Sequence, residues 1–228
     1  METNQMLIDY EKRLRKDEMS ENTIKSYVGT AKRFLAEYEA VNRNSTLAYK
    51  ECLISHYKPA TVNNRILALN NFLHFLRKDN LQLKTIRVQQ KLYLDHVISN
   101  ADYRKLLRKL QKDERMKWYL IVRTMVCTGA RISEIIAFQA EDVYIGYVEL
   151  YAKGNKLRRI YFPRVLQEEL LGWLEADQRK EGSLFLNKNG VTISANGVAT
   201  MLKRFAIRYN IDPGVVHPHA FRHRFALN

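Results

Sequence analysis

The sequence is organised around the stretch Thr128-Gly129-Ala130-Arg131-Ile132-Ser133-Glu134. A largely apolar run at 118–127 predicts a buried helix that stops at Gly129, and the apolar spacing that resumes afterwards predicts a second helix. Arg131 is therefore expected in a tight corner, where backbone N–H groups and a positive helix terminus attract an anion. Glu134 is expected within reach of the Arg131 guanidinium or of a neighbouring basic group. Taken alone, the stretch is equally compatible with a surface arginine in an ordinary helical ion pair.

The composition points to a polyanionic partner. Lys and Arg number 38 against 24 Asp and Glu, which gives the 228-residue chain a net charge of +14. Such an excess is typical of proteins that bind nucleic acid. The chain is long enough for two domains, and residues 1–86 carry a net +4 while 87–228 carry +10. The second segment is therefore expected to hold the stronger phosphate site.

The sequence also predicts a soluble cytoplasmic protein without a membrane partner. Cys52 and Cys127 lie in apolar surroundings without C-x-x-C spacing, and we expect both to be buried, reduced thiols. The polar opening at 1–5 is not a signal peptide. No apolar run approaches the roughly 20 residues that span a bilayer.

Residues 1–86 show helical periodicity almost throughout and predict a four-helix domain. Helices are expected over about 6–14, from Ser20 to about residue 35, over 46–55 and from Pro59 to about residue 76. Residues 81–91 lose this period and predict an extended basic linker, with the domain boundary at 87–91. Several basic side chains could line a DNA-facing surface, although charged helix faces are usually only solvated: Lys25, Lys32, Arg33, Arg65 and Lys84.

Residues 92–228 predict a mixed domain with a small antiparallel sheet. Helices are expected to begin near residues 99 and 113, and the period then changes from helical to alternating after Asp142. Strands are expected over 143–151 and 157–162, joined by a turn rich in Gly and Asn. Further helices are expected over 164–177, over 194–209 and from about residue 217. The predicted fold is α+β and mostly helical.

Five side chains from distant segments suit one chemistry. Arg131 and Glu134 share the corner, Lys153 lies on the hairpin turn, and His219 and Arg222 share a helix face because they are three residues apart. Two arginines can bracket the non-bridging oxygens of a phosphate. A lysine can protonate a leaving oxygen, and a histidine can relay a proton near neutral pH. The set suits phosphoryl transfer at a phosphodiester.

Over its whole length the chain resembles the tyrosine site-specific recombinases of the phage integrase family. The matching motifs are S-x-x-T-x-x-x-Y at 20–27, T-G-x-R-x-S-E at 128–134, K-G-x-K-x-R at 153–158 and H-x-[LF]-R-H at 219–223. The resemblance implies a core-binding domain at 1–86 and a catalytic domain at 92–228 that is incomplete at its C-terminus. It also implies site-specific recombination of double-stranded DNA through a 3′-phosphotyrosyl intermediate, without ATP, metal or another cofactor.

The resemblance assigns a role to each residue of the set. Arg131 and Arg222 would form the phosphate clamp, and Lys153 would be the general acid for the 5′ oxygen. His219 would transfer a proton or contact the phosphate, and Glu134 would be a buried acid that orients the site.

Three further basic residues fall within the motifs. Lys156 and Arg158 are expected to contact the DNA backbone or to be ordinary hairpin charges. His223 is grouped with the DNA-facing residues, although it is expected to support its helix more than to touch substrate.

One departure from the family is large. The family's nucleophilic tyrosine follows the H-x-x-R helix, whereas the last tyrosine here is Tyr209, upstream of Arg222. We therefore expect a shortened chain that binds DNA without cleaving it. Full-length members act as synaptic tetramers, while this chain could be monomeric alone.

Other interpretations stay open at this stage. A regulatory DNA-binding module would need no nucleophile, and a type IB topoisomerase would use a similar phosphate-binding set. A zinc site at His217, His219 and His223 is disfavoured because no cysteine or carboxylate lies close by in the sequence.

Overall fold

The computed structural model describes residues 2–88, 97–152 and 156–227, and the chain divides into two units, 1–91 and 92–228. The first unit contains the four predicted helices. They are α1 (Glu2–Lys16), α2 (Glu21–Glu37), α3 (Arg43–His56) and α4 (Pro59–Phe75), with a 3-10 turn at Asp79–Leu81. Ser20 begins α2 as an N-cap whose side chain accepts from the Thr23 N–H, which is why the helix starts there.

The apolar stripes of the first unit meet in an aromatic core. Tyr10, Phe34 and Phe72 are fully buried. The rings of Tyr10 and Phe72 lie 5.0 Å apart edge to face, and those of Phe34 and Tyr49 lie 5.4 Å apart in the same arrangement. Such pairs contribute packing beyond their buried area. The periodic aromatic residues of this unit therefore belong to its core.

The extended segment after the 3-10 turn is bound to the first unit. The Asn70 side chain donates to the Leu83 carbonyl and accepts from the Leu83 N–H, both at 2.8 Å. Asn63 makes the same pair of bonds with Ile86, at 2.9 and 2.8 Å. Two side-chain amides thus take the place of a neighbouring strand. The prediction that the linker begins at residue 81 is wrong, since residues through 86 are fixed to the first unit.

The second unit is a helical domain with one hairpin. Its helices are α5 (Asn100–Lys112), α6 (Met116–Thr128), α7 (Ile132–Ile135), α8 (Ala140–Ile145), α9 (Arg164–Ala176), α10 (Ala195–Arg208) and α11 (Pro218–Leu227). Strands β1 (Tyr147–Ala152) and β2 (Lys156–Tyr161) pair antiparallel, with Tyr147 opposite Tyr161 and Leu150 opposite Arg158. The fold class predicted from the sequence, mostly helical with a small antiparallel sheet, is confirmed.

The first strand begins later than predicted. Residues 143–145 end the short helix α8, whose N-terminus is capped because the Gln139 N–H donates to Asp142 Oδ2 at 2.7 Å. Gly146, with φ of 92°, then ends α8 in the left-handed region. Alternation over so few residues cannot distinguish a strand from a single helical turn.

Helix α6 forms the centre of the second unit and ends where the sequence predicted. Leu120, Ile121 and Met125 have no exposed surface. Gly129 adopts φ of 60° and donates its N–H to the Met125 carbonyl at 3.1 Å, a C-terminal arrangement that favours glycine. A Cβ at this position would collide with the ring of Phe225 in α11. The corner therefore requires glycine for both its backbone angle and its close neighbour.

The two cysteines are less buried than predicted. Both are free and only partly buried. Leu53 in α3 faces the core, and the side chain of the adjacent Cys52 points away from it and is only partly buried. Cys127 lies beside a surface cavity next to Phe225, and burial raises the pKa of its thiol. In the described part of the chain, none of the helices has the length and apolar character needed to cross a membrane.

Replacing Asn63 with alanine tests how the extended segment is held. The change removes both bonds to Ile86, so we expect the first unit to lose about 1 kcal/mol of unfolding free energy. The Ile86 N–H should also lose protection in hydrogen exchange. Asn64→Ala, at an exposed position of the same helix, is the matched control for the higher helix propensity of alanine. Equal Ile86 protection in the two variants would show that the amide pair is not what holds the segment.

Gly129→Ala tests the corner. We expect the second unit to lose at least about 1 kcal/mol of stability from the left-handed backbone angle, with a further loss from the displaced Phe225 ring. Adding Phe225→Ala should remove the collision with the ring and recover that part of the lost stability, but not the part that comes from the backbone angle. Gly172→Ala in α9 is the control, because a Cβ there meets nothing within 4 Å and should raise the thermal midpoint. Similar midpoints for the 129 and 172 variants in calorimetry would contradict this account of the corner.

Candidate active site

The site forms around the carboxylate of Glu134. Arg131 precedes α7 in an extended conformation, and its backbone N–H donates to Glu134 Oε2 at 2.7 Å. The Arg131 guanidinium donates from Nη1 to Glu134 Oε1 at 3.0 Å. The Glu134 side chain is 18% exposed, whereas that of Arg131 is 57% exposed. The acid is thus held in place by the corner, while much of the arginine faces solvent.

Arg222 reaches the same corner from α11. Its Nη1 donates to the Gly129 carbonyl at 2.5 Å, across 93 residues of sequence, and lies 4.0 Å from Glu134 Oε2. Burial lowers the pKa of the Arg222 guanidinium, and the nearby charge of Arg131 lowers it further. The structure therefore brings together the two arginines that the sequence singled out as a phosphate clamp.

A third guanidinium belongs to this cluster. Arg158 in β2 donates from Nη2 to Glu134 Oε2 at 3.2 Å. Arg158 was expected to contact the DNA backbone or to be an ordinary hairpin charge, and its contact with Glu134 was not predicted. The alternation along β2 could have indicated that Arg158 faces the interior, because it shares a face of the hairpin with the buried Ile160.

His219 and His223 lie on the same helix as Arg222. His219 is exposed in the first turn of α11, and His223 is half-buried beside the cavity. The Ala220 N–H donates to His217 Nδ1 at 3.2 Å, which satisfies one of the free donors at the start of α11. Across residues 2–88, 97–152 and 156–227, no group of three or more His, Cys, Asp or Glu side chains could hold a metal ion.

Helix α11 is anchored at its far end by Arg224. This side chain donates from Nη1 to the Ile98 carbonyl at 3.3 Å and from Nη2 to the Asn100 side chain. Its guanidinium also lies over the Tyr103 ring, 4.5 Å from the ring centre. This role of Arg224 was not predicted from the sequence. Contacts with the segment that starts α5 thus fix the helix that carries His219 and Arg222.

A cavity of about 500 Å³ opens beside the cluster. It is lined by residues from the corner, from β2 and from α11, among them Gly129, Arg158, Arg222, His223 and Phe225. Three elements that are distant in sequence therefore meet around one concave, cationic surface. Such a surface can bind an oxyanion through guanidinium groups.

The remaining candidate residues are separate from this cluster or outside the described part. Lys153, and the side chain of Lys156, lie outside the described residues. In the first unit, Lys25, Lys32, Arg33 and Lys84 are exposed, whereas Arg65 is half-buried. The Arg65 guanidinium lies 3.8 Å from the centre of the Tyr57 ring.

Comparisons with known proteins identify the family to which the chain is similar. The model of the phage integrase family matches residues 96–228. The tyrosine recombinase XerD of Staphylococcus epidermidis is 26% identical over 236 residues, which cover 92% of this chain and 79% of XerD. The tyrosine recombinase XerC of Staphylococcus carnosus is 27% identical over 236 residues, which cover 92% of this chain and 77% of XerC.

Solved structures share the fold. A lambda integrase tetramer bound to a Holliday junction aligns with a TM-score of 0.76 at 15% identity, covering 98% of this chain and 71% of that one. The Tn1549 transposon integrase in complex with transposon right end DNA aligns with a TM-score of 0.73 at 17% identity, covering 96% and 84%. Because the family model spans more than half of the sequence, the chain belongs to the phage integrase family of tyrosine recombinases.

Proposed function

We propose that the chain belongs to a system for site-specific DNA recombination, in which phosphodiester bonds are broken and rejoined through a 3′-phosphotyrosyl intermediate. The observation that supports this most is the convergence of Arg131 and Arg222 on the Glu134 carboxylate. Two guanidiniums held together in this way match the non-bridging oxygens of one phosphate.

The cationic cluster would act mainly on the charge of the transition state. Negative charge on the phosphate oxygens grows as the nucleophile attacks, and donors already fixed in position stabilise that charge without reorganising. Arg222 is held by the Gly129 carbonyl and Arg131 by Glu134. Each guanidinium has further N–H groups for an incoming phosphate.

Proton transfer is assigned to two residues. His219 is exposed on α11, three residues before Arg222, so it can approach a phosphate bound by that arginine. Lys153 is proposed as the general acid for the 5′ oxygen, on the strength of its motif alone. None of these steps calls for ATP or a metal ion in the family's chemistry.

Double-stranded DNA is the proposed partner. The excess of positive charge supports this, as do two solved structures of the same fold, the Tn1549 integrase with transposon DNA and the lambda integrase tetramer on a Holliday junction. We propose that the exposed Lys25, Lys32 and Arg33 on α2, together with Arg65 and Lys84, add phosphate contacts from the first unit, and that the working assembly is a tetramer. We place this activity in the cytoplasm.

We further propose that the 228 residues bind DNA without forming a covalent link to it. The family's tyrosine follows the helix of Arg222, and all thirteen tyrosines here precede that residue. The last, Tyr209, donates its hydroxyl to Asp113 at 3.0 Å and stacks on Phe205, so it is engaged in packing. The same observation supports a second candidate function, that of a DNA-binding accessory module without chemistry.

Salt-dependent binding to a 30-base-pair duplex tests the phosphate clamp. Affinity should fall steeply with salt, and Arg131→Ala and Arg222→Ala should each reduce the slope of log K against log salt by about one, because each removes a phosphate contact. Fluorescence anisotropy measures both quantities. Arg164→Ala is the control, since this arginine is 90% exposed and pairs with Glu168. Equal slopes for the wild type and the Arg131 and Arg222 variants would exclude the clamp.

A nicked duplex that traps covalent intermediates tests the absence of cleavage. We expect no protein–DNA adduct after denaturing electrophoresis, because no tyrosine lies beyond Arg222. An adduct that mass spectrometry maps to one of the thirteen tyrosines would refute this part of the proposal and the accessory-module alternative. The clamp itself would stand.

A further inference from the structure

We propose that Arg158 is a positioning residue of the phosphate site: it holds the Glu134 carboxylate so that Arg222 stays available to the substrate. The inference rests on the proposed function, because it concerns the same phosphate. It assigns to β2 a role that differs from contact with the DNA backbone.

The proposal starts from how the carboxylate is shared. Glu134 Oε1 accepts from the Arg131 guanidinium at 3.0 Å. Oε2 accepts from the Arg131 backbone N–H at 2.7 Å and from Arg158 at 3.2 Å, whereas Arg222 Nη1 lies 4.0 Å away. The last distance is too long for a hydrogen bond. Arg158 therefore occupies the acceptor site that Arg222 would otherwise take.

Removing Arg158 should change the partner of Oε2. A carboxylate oxygen accepts about two donors, and Oε2 already has two, the Arg131 N–H and Arg158. Without Arg158 one of these positions is free, and a guanidinium 4.0 Å away needs only a small side-chain shift to reach it. Arg222 would then pair directly with Glu134. An arginine committed to this pair has fewer free N–H groups for a phosphate, and the pair must be broken before the anion binds.

The hairpin makes Arg158 suited to this role. Arg158 lies opposite Leu150, on the face that carries the buried residues Val148 and Ile160. Arg159 points to the other face, where it pairs with Glu149 at 2.7 Å. The Arg158 side chain is 38% exposed, so it reaches Glu134 without being part of the core. Its replacement should leave the fold intact.

The electrostatics of the cluster support the same role. Three guanidiniums surround one carboxylate, and both Arg131 and Arg158 contribute to the lowered pKa of Arg222, after the larger effect of burial. The cluster therefore has an excess of positive charge that a phosphate would neutralise. Arg158 maintains that excess while it also keeps Glu134 away from Arg222.

A double-mutant cycle separates positioning through Glu134 from direct contact with the anion. The probe is inorganic phosphate at constant ionic strength, and its affinity is read from the ¹⁵Nε–H signals of Arg131 and Arg222 in NMR. Arg158→Ala should weaken phosphate binding on the order of tenfold, and in the Glu134→Gln background the same change should have less than about a twofold effect. Before phosphate is added, Arg158→Ala should already shift the Arg222 signal towards that of a paired guanidinium.

Two further variants sharpen the test. Arg158→Lys should restore part of the affinity, because a lysine can supply one bond to Oε2 but not the geometry of a guanidinium. Arg164→Ala is the control, because this arginine is 90% exposed, pairs with Glu168 and does not line the cavity, so it should bind phosphate as the wild type does. Thermal midpoints measured for every variant ensure that only folded proteins are compared.

The outcomes distinguish the two levels of the proposal. If phosphate fails to shift Arg131 and Arg222 in the wild type, the proposed function fails and the inference with it. If the wild type binds but Arg158→Ala matches Arg164→Ala, the inference alone fails. A loss of affinity that persists unchanged with Glu134→Gln would mean that Arg158 acts on the anion directly, which also overturns the inference.

Discussion

The site depends on one carboxylate that keeps like charges together. Guanidiniums repel one another, and the repulsion grows where burial reduces screening by water. Glu134 offsets this repulsion for Arg131, Arg158 and Arg222, all of which lie within 4.0 Å of its oxygens. Without this acid the repulsion among the three arginines would be uncompensated, and only Arg222 would keep a further partner at the corner, the Gly129 carbonyl. The proposed phosphate site is thus organised before any phosphate arrives.

The backbone around Glu134 explains why the cluster forms there. Gly129 turns the chain sharply at the end of α6, which leaves its carbonyl free to accept from Arg222 and brings Phe225 of α11 against it. The Arg131 N–H is free for Glu134 for a different reason, since the first donors of a helix have no partner within it and Arg131 precedes α7. The end of α6 thus supplies the acceptor for Arg222, and the start of α7 supplies a donor for Glu134.

The parts of this structure that could be predicted are those set by local pattern. The four helices of the first unit follow from apolar spacing, and the Arg131–Glu134 pair follows from a three-residue interval on a helix. Local pattern predicted the wrong structure where the segment was short or where tertiary contacts determined its conformation. Residues 143–145 are β-branched or aromatic, as is typical of a strand, yet they end α8. Residues 81–86 have the composition of a linker, yet Asn63 and Asn70 bind them.

Long-range contacts at the site were beyond pattern alone. The motifs named Arg131 and Arg222 through a family resemblance, but no periodicity links Arg222 to a carbonyl 93 residues earlier. For Arg158, the sequence predicts the side of the strand but not the partner. Alternation along β2 already put it on the inward face with Ile160, but its acceptor lies on a helix corner whose position only the folded unit reveals.

The exposed fractions of the four side chains match the role proposed for each of them. Glu134 is the least exposed member, at 18%, since an acid that organises others gains from fixed geometry. Arg131 is the most exposed, at 57%, and Arg222 and Arg158 are intermediate at 31% and 38%. Fully buried guanidiniums could not meet a large substrate, and fully exposed ones would lose fixed orientation to water. The partly buried arginines around a well-held acid combine access with orientation, which is what a phosphodiester in duplex DNA requires.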